Sequence, residues 1–231
     1  ALRRPRVAIA ATGDELVAPS EPVGPSQIVG SNSYGVAVIA EAAGAEVIDL
    51  GLVRDTDAAI HDAVDRAERA GADIFVTIGG ASVGDLDLVA PVLRSRGAVL
   101  DFWRIAMRPG KPLMAGRLGA MRFIGLPGNP ASSLTSSELF LVPLVERLAG
   151  RPDRDRMRTG RLGADVKAND HRAEFMRAKI RWNGEEAVVT PLPRQDSSLL
   201  SIFAEADALL CRVPHAPAAV AGESCRYLEL D

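Results

Sequence analysis

Three short apolar runs, separated by segments of helical period and each left through a polar loop, constrain this chain most. "RVAIAA" over residues 6–11, "EVIDLGLV" over 46–53 and "DIFVTIGG" over 73–80 are rich in Val, Ile and Ala and read as buried strands. Between the first two, "SNSYGVAVIAEAAGAEV" offers Ser31 or Asn32 as a helix cap, an apolar side of Val36, Ile39, Ala40 and Ala43, and Gly44 as the stop. Between the second and third, Asp57 can cap a helix through "AAIHDAVDRAERA", with Ile60, Val64 and Ala67 at helical spacing and Gly71 at its end. Strands alternating with helices predict βαβ units, hence an α/β fold with a mostly parallel sheet and helices on both faces.

In such a sheet ligands bind beyond the carboxyl ends of the strands. "TGDEL" leaves the first strand there and "IGGASVGDLD" the third, while "PGNPASS" sits between the strand "MRFIGL" and a helix ending at Gly150. A further helix is expected near Asp87 to Arg96, and "AVLDFWRIAMRPGKPLMAGRL" gives more strands around a Pro/Gly turn. "RPDRDR" is charged, lacks apolar periodicity and reads as a linker. Beyond it, "FMRAKIRW", "EAVVTPLP", "ALLCRVP" and "SCRYLEL" alternate as short strands between Asn-Gly and Pro turns. The expected organisation is an α/β domain over residues 1–150 followed by a small all-β, antiparallel domain over 151–231.

Composition narrows the function. A formal charge of −3 with the charges interspersed gives no basic tract, and aromatics are 4%, so no nucleic-acid surface is expected. No apolar run approaches the ~20 residues of a membrane span, and the start "ALRRPRVAIA" has no apolar signal core, so a soluble cytoplasmic protein with no membrane partner is expected. Cys211 and Cys225 are too few for a zinc site and are either two free thiols or a disulfide. His61, His171 and His215 all lie outside the three loops, which argues against a serine triad there, and neither a Walker loop nor a G-x-G-x-x-G fingerprint occurs.

The loops carry the chemistry. Gly79, Gly80 and Gly84 with the Ser82 hydroxyl suit a phosphate, because glycines let backbone N–H groups approach an anion; the same residues also suit a plain tight turn. Asp85 and Asp87 would repel a phosphate unless a cation such as Mg²⁺ lies between. Asp14 and Glu15 form a second acidic pair, and Asp55 and Asp57 a third, each equally readable as solvated loop charges or helix-start acids. Arg104, Arg108 and Lys111 are three cations within eight residues around a Pro/Gly turn, suited to a phosphate, molybdate or sulfate oxyanion or to solvent. Gly128, Asn129, Ser132 and Ser133 begin a helix and favour an anion, or simply cap and initiate it. Gln195, Asp196, Ser197 and Ser198 form a polar cluster in a surface turn.

In this order and spacing, "TGDEL", "SNSYGVAVIAEAAGAEVIDLGLVRD", "IGGASVGDLD", "RIAMRPGKP" and "GLPGNPASS" resemble the molybdopterin molybdenumtransferase family, to which the E domain of gephyrin is related. The resemblance covers residues 5–150 densely and extends to the β tail. It implies an enzyme that binds adenylylated molybdopterin, inserts molybdate and releases AMP with Mg²⁺ assisting. Carried over by motif, Asp14, Glu15, Asp55 and Asp87 are the catalytic acids, with Glu15, Asp55 and Asp87 on the metal. Thr12, Gly13, Gly79, Gly80, Ser82, Gly84, Arg104, Arg108, Lys111, Pro127, Gly128, Asn129 and Ser132 are the substrate-binding positions. Family members often have Lys where Arg104 and Arg108 stand, an exchange that keeps the charge and changes the donor geometry. The family acts as homodimers and carries a long N-terminal region ahead of the "TGDEL" strand, so this chain is expected to correspond to the C-terminal portion. A molybdopterin adenylyltransferase, which shares the α/β domain and is also a possible partner, and a non-catalytic scaffold keeping the fold are the alternatives.

Overall fold

The structure, a computed structural model, describes residues 3–80 and 88–230. It divides into two compact units, one of residues 1–105 and 112–153, the other of 106–111 and 154–231.

In the first unit, β1 (Arg6–Thr12) runs into two short strands, β2 (Leu16–Val17) and β3 (Ile28–Val29), which pair with each other. Then come α1 (Asn32–Ala42), β4 (Glu46–Val53), α2 (Asp57–Arg69), β5 (Ile74–Ile78), α3 (Val89–Ser95) and β6 (Val99–Trp103). After β7 (Met107–Arg108), which belongs to the second unit, β8 (Met114–Leu118), β9 (Met121–Leu126), α4 (Pro130–Ser136), a π-helical turn over Ser137–Leu141 and α5 (Val142–Leu148) complete it. The sheet order is β4-β1-β5-β9-β8-β6. β4, β1, β5 and β9 are mutually parallel, and because β8 is antiparallel to both β9 and β6, only β8 runs against the rest.

The local signals explain the elements. The side chain of Thr56, not Asp57, caps α2, accepting the Ala59 N–H at 3.3 Å. Thr56 precedes the first turn with extended backbone, whereas Asp57 already lies inside it and complements the helix dipole there. Ile60, Ala63, Val64 and Ala67 of α2 pack with Val89, Ala90, Val92 and Leu93 of α3 on Ala8, Ala10 and Phe75 of the sheet. On the opposite side α1 packs on β1 and α4, where a Cβ on Gly35 would stand 2.8 Å from Leu134 Cδ2. Fully buried side chains such as Ile9, Ile60, Ile74, Phe75 and Phe123 each contribute about 1.5–3 kcal/mol.

The chain passes from β1 to β4 through α1 and returns to β5, on the other side of β1, through α2. The order of strands therefore reverses at β1/β5, where a crevice opens at the carboxyl edge.

The second unit contains β7, β10 (Met157–Leu162), β11 (Ala173–Asn183), β12 (Glu186–Pro191), α6 (Leu200–Glu205), β13 (Ala208–Arg212) and β14 (Ser224–Glu229). β11 pairs with β13, β13 with β14, β14 with β10, β10 with β12 and β12 with β11, which closes a five-stranded barrel. Closure removes exposed sheet edges. It requires one parallel pair, β10 with β12, where the sequence predicts antiparallel strands throughout. Leu162, Ala178, Val189, Leu210 and Tyr227 fill the interior. Cys225 faces that interior, while Cys211 alternates with Leu210 and points outward, so the two thiols lie on opposite faces and are free. Burial pushes both thiols up from their ordinary range.

The sequence places one boundary near residue 150. The six residues Ala106–Lys111 nevertheless join the second unit, because β7 pairs in parallel with Ala173 and Glu174 of β11.

Among the described residues no helix is long and apolar enough to cross a membrane.

Candidate functional site

The carboxyl ends of β1, β5 and β9 frame a cavity of about 330 Å³, lined by Thr12, Glu15, Asn32, Asp55, Gly79, Gly80, Pro127, Gly128 and Asn129 among others. Ligand clefts start at about this size. Backbone geometry builds it. Gly79 has φ +92°, and a Cβ there would meet the Thr12 carbonyl oxygen at 2.5 Å, so only glycine lets the ends of β5 and β1 come this close. Its N–H donates to the Leu126 carbonyl at 3.0 Å, which fixes it to β9. Gly128 lies against Gly79, with its Cβ position 3.7 Å from Gly79 Cα, and the Asn32 amide donates to the Gly128 carbonyl at 2.6 Å. The start of α1 is thereby tied to the "PGNP" loop.

Three of the predicted acids meet at the rim. Glu15 and Asp55 line the cavity, Asp14 accepts the Asp55 N–H at 3.3 Å, and Glu15 folds its carboxylate back over Gly13. Burial and the neighbouring Asp14 and Glu15 charges push the Asp55 carboxyl up from the ordinary range. These hard oxygen donors suit a cation such as Mg²⁺, and the mutual repulsion felt by Asp55 is what a cation would relieve. Among the described residues, however, no three of His, Cys, Asp and Glu are close enough to form a metal site. Asp87, the third metal position read from the sequence, lies outside the described residues, as do Ser82, Gly84 and Asp85. Ser132 is buried in the first turn of α4 and does not line the cavity.

The three cations differ in state. Arg104 is exposed at the end of β6, with a left-handed φ of +71° and its guanidinium 5.8 Å from the Trp103 ring centroid. Lys111 is exposed and has no side-chain partner among the described residues. Arg108, in the second unit, is held by Glu174 at 2.8 Å, Asp170 at 3.6 Å and Asn169 at 3.4 Å, so its charge is largely neutralised rather than open as the sequence suggests. Arg172 holds the Asp170 carboxyl well below its usual range.

The second unit also contains an arginine that sequence reasoning missed. Arg177 is 1% exposed and lines a cavity of about 300 Å³ with Arg108, Pro109, Glu174, Phe175 and Gln195. Its Nε has no partner, and burial lowers its pKa. Alternation along β11 puts Arg177 on the outer face of the barrel, where it would read as solvated. The "PRQDSS" turn covers it instead: Gln195 accepts the Arg177 N–H and donates to its carbonyl, both at 2.9 Å.

Comparison with known proteins now gives this architecture its class. Residues 8–147 match the family described as "Probable molybdopterin binding domain", and residues 159–230 match "MoeA C-terminal region (domain IV)". The chain therefore belongs to the molybdopterin-binding domain family.

Its relatives are more particular. It is 44% identical over 151 residues to the molybdopterin molybdenumtransferase of Nostoc sp., covering 64% of this chain and 34% of that protein. It is 31% identical over 214 residues to that of Bacillus subtilis, covering 90% and 49%. The crystal structure of a molybdopterin biosynthesis moeA protein from Pyrococcus horikoshii superimposes with a TM-score of 0.81 at 28% identity, over 98% of this chain and 54% of that one. The chain thus spans from about a third to a half of the length of the curated relatives it matches.

Proposed function

We propose that this chain holds adenylylated molybdopterin in the cavity at the carboxyl edge of its α/β unit and serves the insertion of molybdate into the dithiolene with release of AMP. One observation carries the reading: the cavity lies at the strand-order reversal, inside the stretch matched by the molybdopterin-binding family. The backbone around Gly80 and Gly128 would receive the pterin and its phosphate, with Gly79 letting the strand ends approach. Arg104, Arg108 and Lys111 supply positive charge for molybdate, with Arg108 first released from Glu174. Some of Asp14, Glu15, Asp55 and Asp87 would hold Mg²⁺, whose charge would neutralise the pyrophosphate of the substrate. Catalysis in this account is positioning and charge stabilisation, and no covalent protein intermediate is needed. The proposed setting is a cytoplasmic homodimer that receives its substrate from a molybdopterin adenylyltransferase.

The test is isothermal calorimetry of the chain with molybdopterin, with and without Mg²⁺ and molybdate, followed by turnover of the adenylylated substrate. Binding that strengthens with Mg²⁺ in the wild type, and loses that dependence in Asp55→Asn, is expected. Binding with no release of AMP would favour a non-catalytic module, and absence of binding by the folded chain would overturn the reading.

A further inference from the structure

Because β6 runs parallel to β9, its end at Trp103 opens on the same edge of the sheet as the cavity. Two cations meet that ring. The Arg94 guanidinium, from the last turn of α3, lies 5.3 Å from the Trp103 centroid, and that of Arg104 lies 5.8 Å away. Successive side chains of a strand normally point to opposite faces, so adjacent residues do not stack. The left-handed φ of +71° at Arg104 breaks that alternation and brings its guanidinium back over the preceding ring. Such a backbone is costly for a non-glycine residue and persists only where its surroundings impose it. Here the Arg104 N–H is bonded to the Leu113 carbonyl at 2.8 Å, one residue from the cavity-lining Pro112.

Neither arginine has a carboxylate partner among the described residues. Arg108 is the contrast, since Glu174 occupies its donors. An aromatic face orients a guanidinium without consuming any N–H, leaving the donor edges free for a ligand. We propose that Trp103 is a positioning residue that holds Arg94 and Arg104 as a clamp for a tetrahedral dianion, either molybdate or a phosphate group. The proposal rests on the reading of the site given above, and it adds Arg94 and Trp103 to the residues that serve it.

Calorimetry of the chain with inorganic molybdate and, separately, inorganic phosphate tests the clamp in the wild type, Arg94→Gln, Trp103→Leu and Trp103→Phe. Arg94→Gln, at an exposed position, is expected to weaken anion binding about tenfold or more. Trp103→Leu should weaken it about two- to fivefold, and Trp103→Phe, which keeps an aromatic face, should restore affinity to within about twofold. A loss confined to molybdate identifies the clamp with the metal oxyanion, and a loss confined to phosphate identifies it with the pterin phosphate. Wild-type affinity for both anions in Arg94→Gln and Trp103→Leu, or no anion binding by the wild type, overturns the clamp. Should Trp103→Leu not fold, Arg94→Gln and Trp103→Phe still decide. Molybdopterin titrated into the same samples separates the two failures: wild-type binding unaffected by the variants leaves the site and removes the clamp, whereas no molybdopterin binding removes the site itself.

Discussion

Replacing Gly79 by Ala tests how the cavity is built. Two costs add. At φ +92° an L side chain is strained by about 1–2 kcal/mol, and the new Cβ would lie 2.5 Å from the Thr12 carbonyl oxygen. That oxygen belongs to the buried end of β1, and the Gly79 N–H is anchored to β9, so neither neighbour yields easily. Overpacking of this kind adds about 1–3 kcal/mol. The total is about 2–5 kcal/mol, a fall in the midpoint of thermal unfolding of roughly 5–15 °C for a unit of this size. Gly51→Ala is the matched control. Gly51 has φ +74° but no atom within 4 Å of its Cβ position, so only the backbone cost of about 1–2 kcal/mol applies. Thermal unfolding followed by circular dichroism measures both. Equal destabilisation would refute the claim that close approach of Thr12, rather than left-handed backbone, requires the glycine.

Other outcomes follow from single contacts. Asn32→Ala removes the bond to the Gly128 carbonyl and should cost about 1 kcal/mol in urea unfolding while loosening the "PGNP" loop, read as weaker molybdopterin binding. Burial pushes the Asp73 carboxyl up, but the Arg3 side chain and the Arg6 N–H outweigh it and hold the group below its ordinary range. The stability it contributes is therefore present above the ordinary carboxylate range and lost as pH falls through the lowered pKa, so the acid limb of a plot of thermal midpoint against pH should flatten in Asp73→Asn. Replacing the buried Arg177 by Met removes a charge with few partners and should leave stability unchanged or higher; a loss above about 3 kcal/mol in denaturant unfolding would contradict that accounting.

Much of the first unit was legible because its signals are local. The apolar runs of β1 and β5, the period of α2 and the stops at Gly44 and Gly71 are read from near neighbours, and the three loops follow from the rule that parallel strands present their carboxyl ends to ligands. What was not legible depends on distant pairing. Nothing in "AMRPGK" shows that Met107 and Arg108 pair with residues more than sixty positions on, so Arg108 reads as an open cation although Glu174 holds it. β10 lacks an apolar alternation, since its Met-Arg-Thr-Gly-Arg-Leu stretch buries only Gly160 and Leu162, and its strand exists because β14 and β12 flank it. Arg177 was hidden by the same logic, as a strand pattern gives its outward direction but not the turn that covers it. The stacking of Arg104 on Trp103 depends on a positive φ at a non-glycine residue, which no residue type announces.

Molybdopterin is proposed to occupy the cavity between the ends of β1, β5 and β9. Gly128→Phe tests it most directly, because the Cβ position of Gly128 is in ordinary contact with Gly79 at 3.7 Å and a bulky side chain there would project at the cavity wall without a forced clash of its Cβ. Calorimetry should show binding by the wild type and at least roughly tenfold weaker binding by a Gly128→Phe protein with an unchanged thermal midpoint. Equal affinity in the two proteins would place the ligand elsewhere and contradict the account.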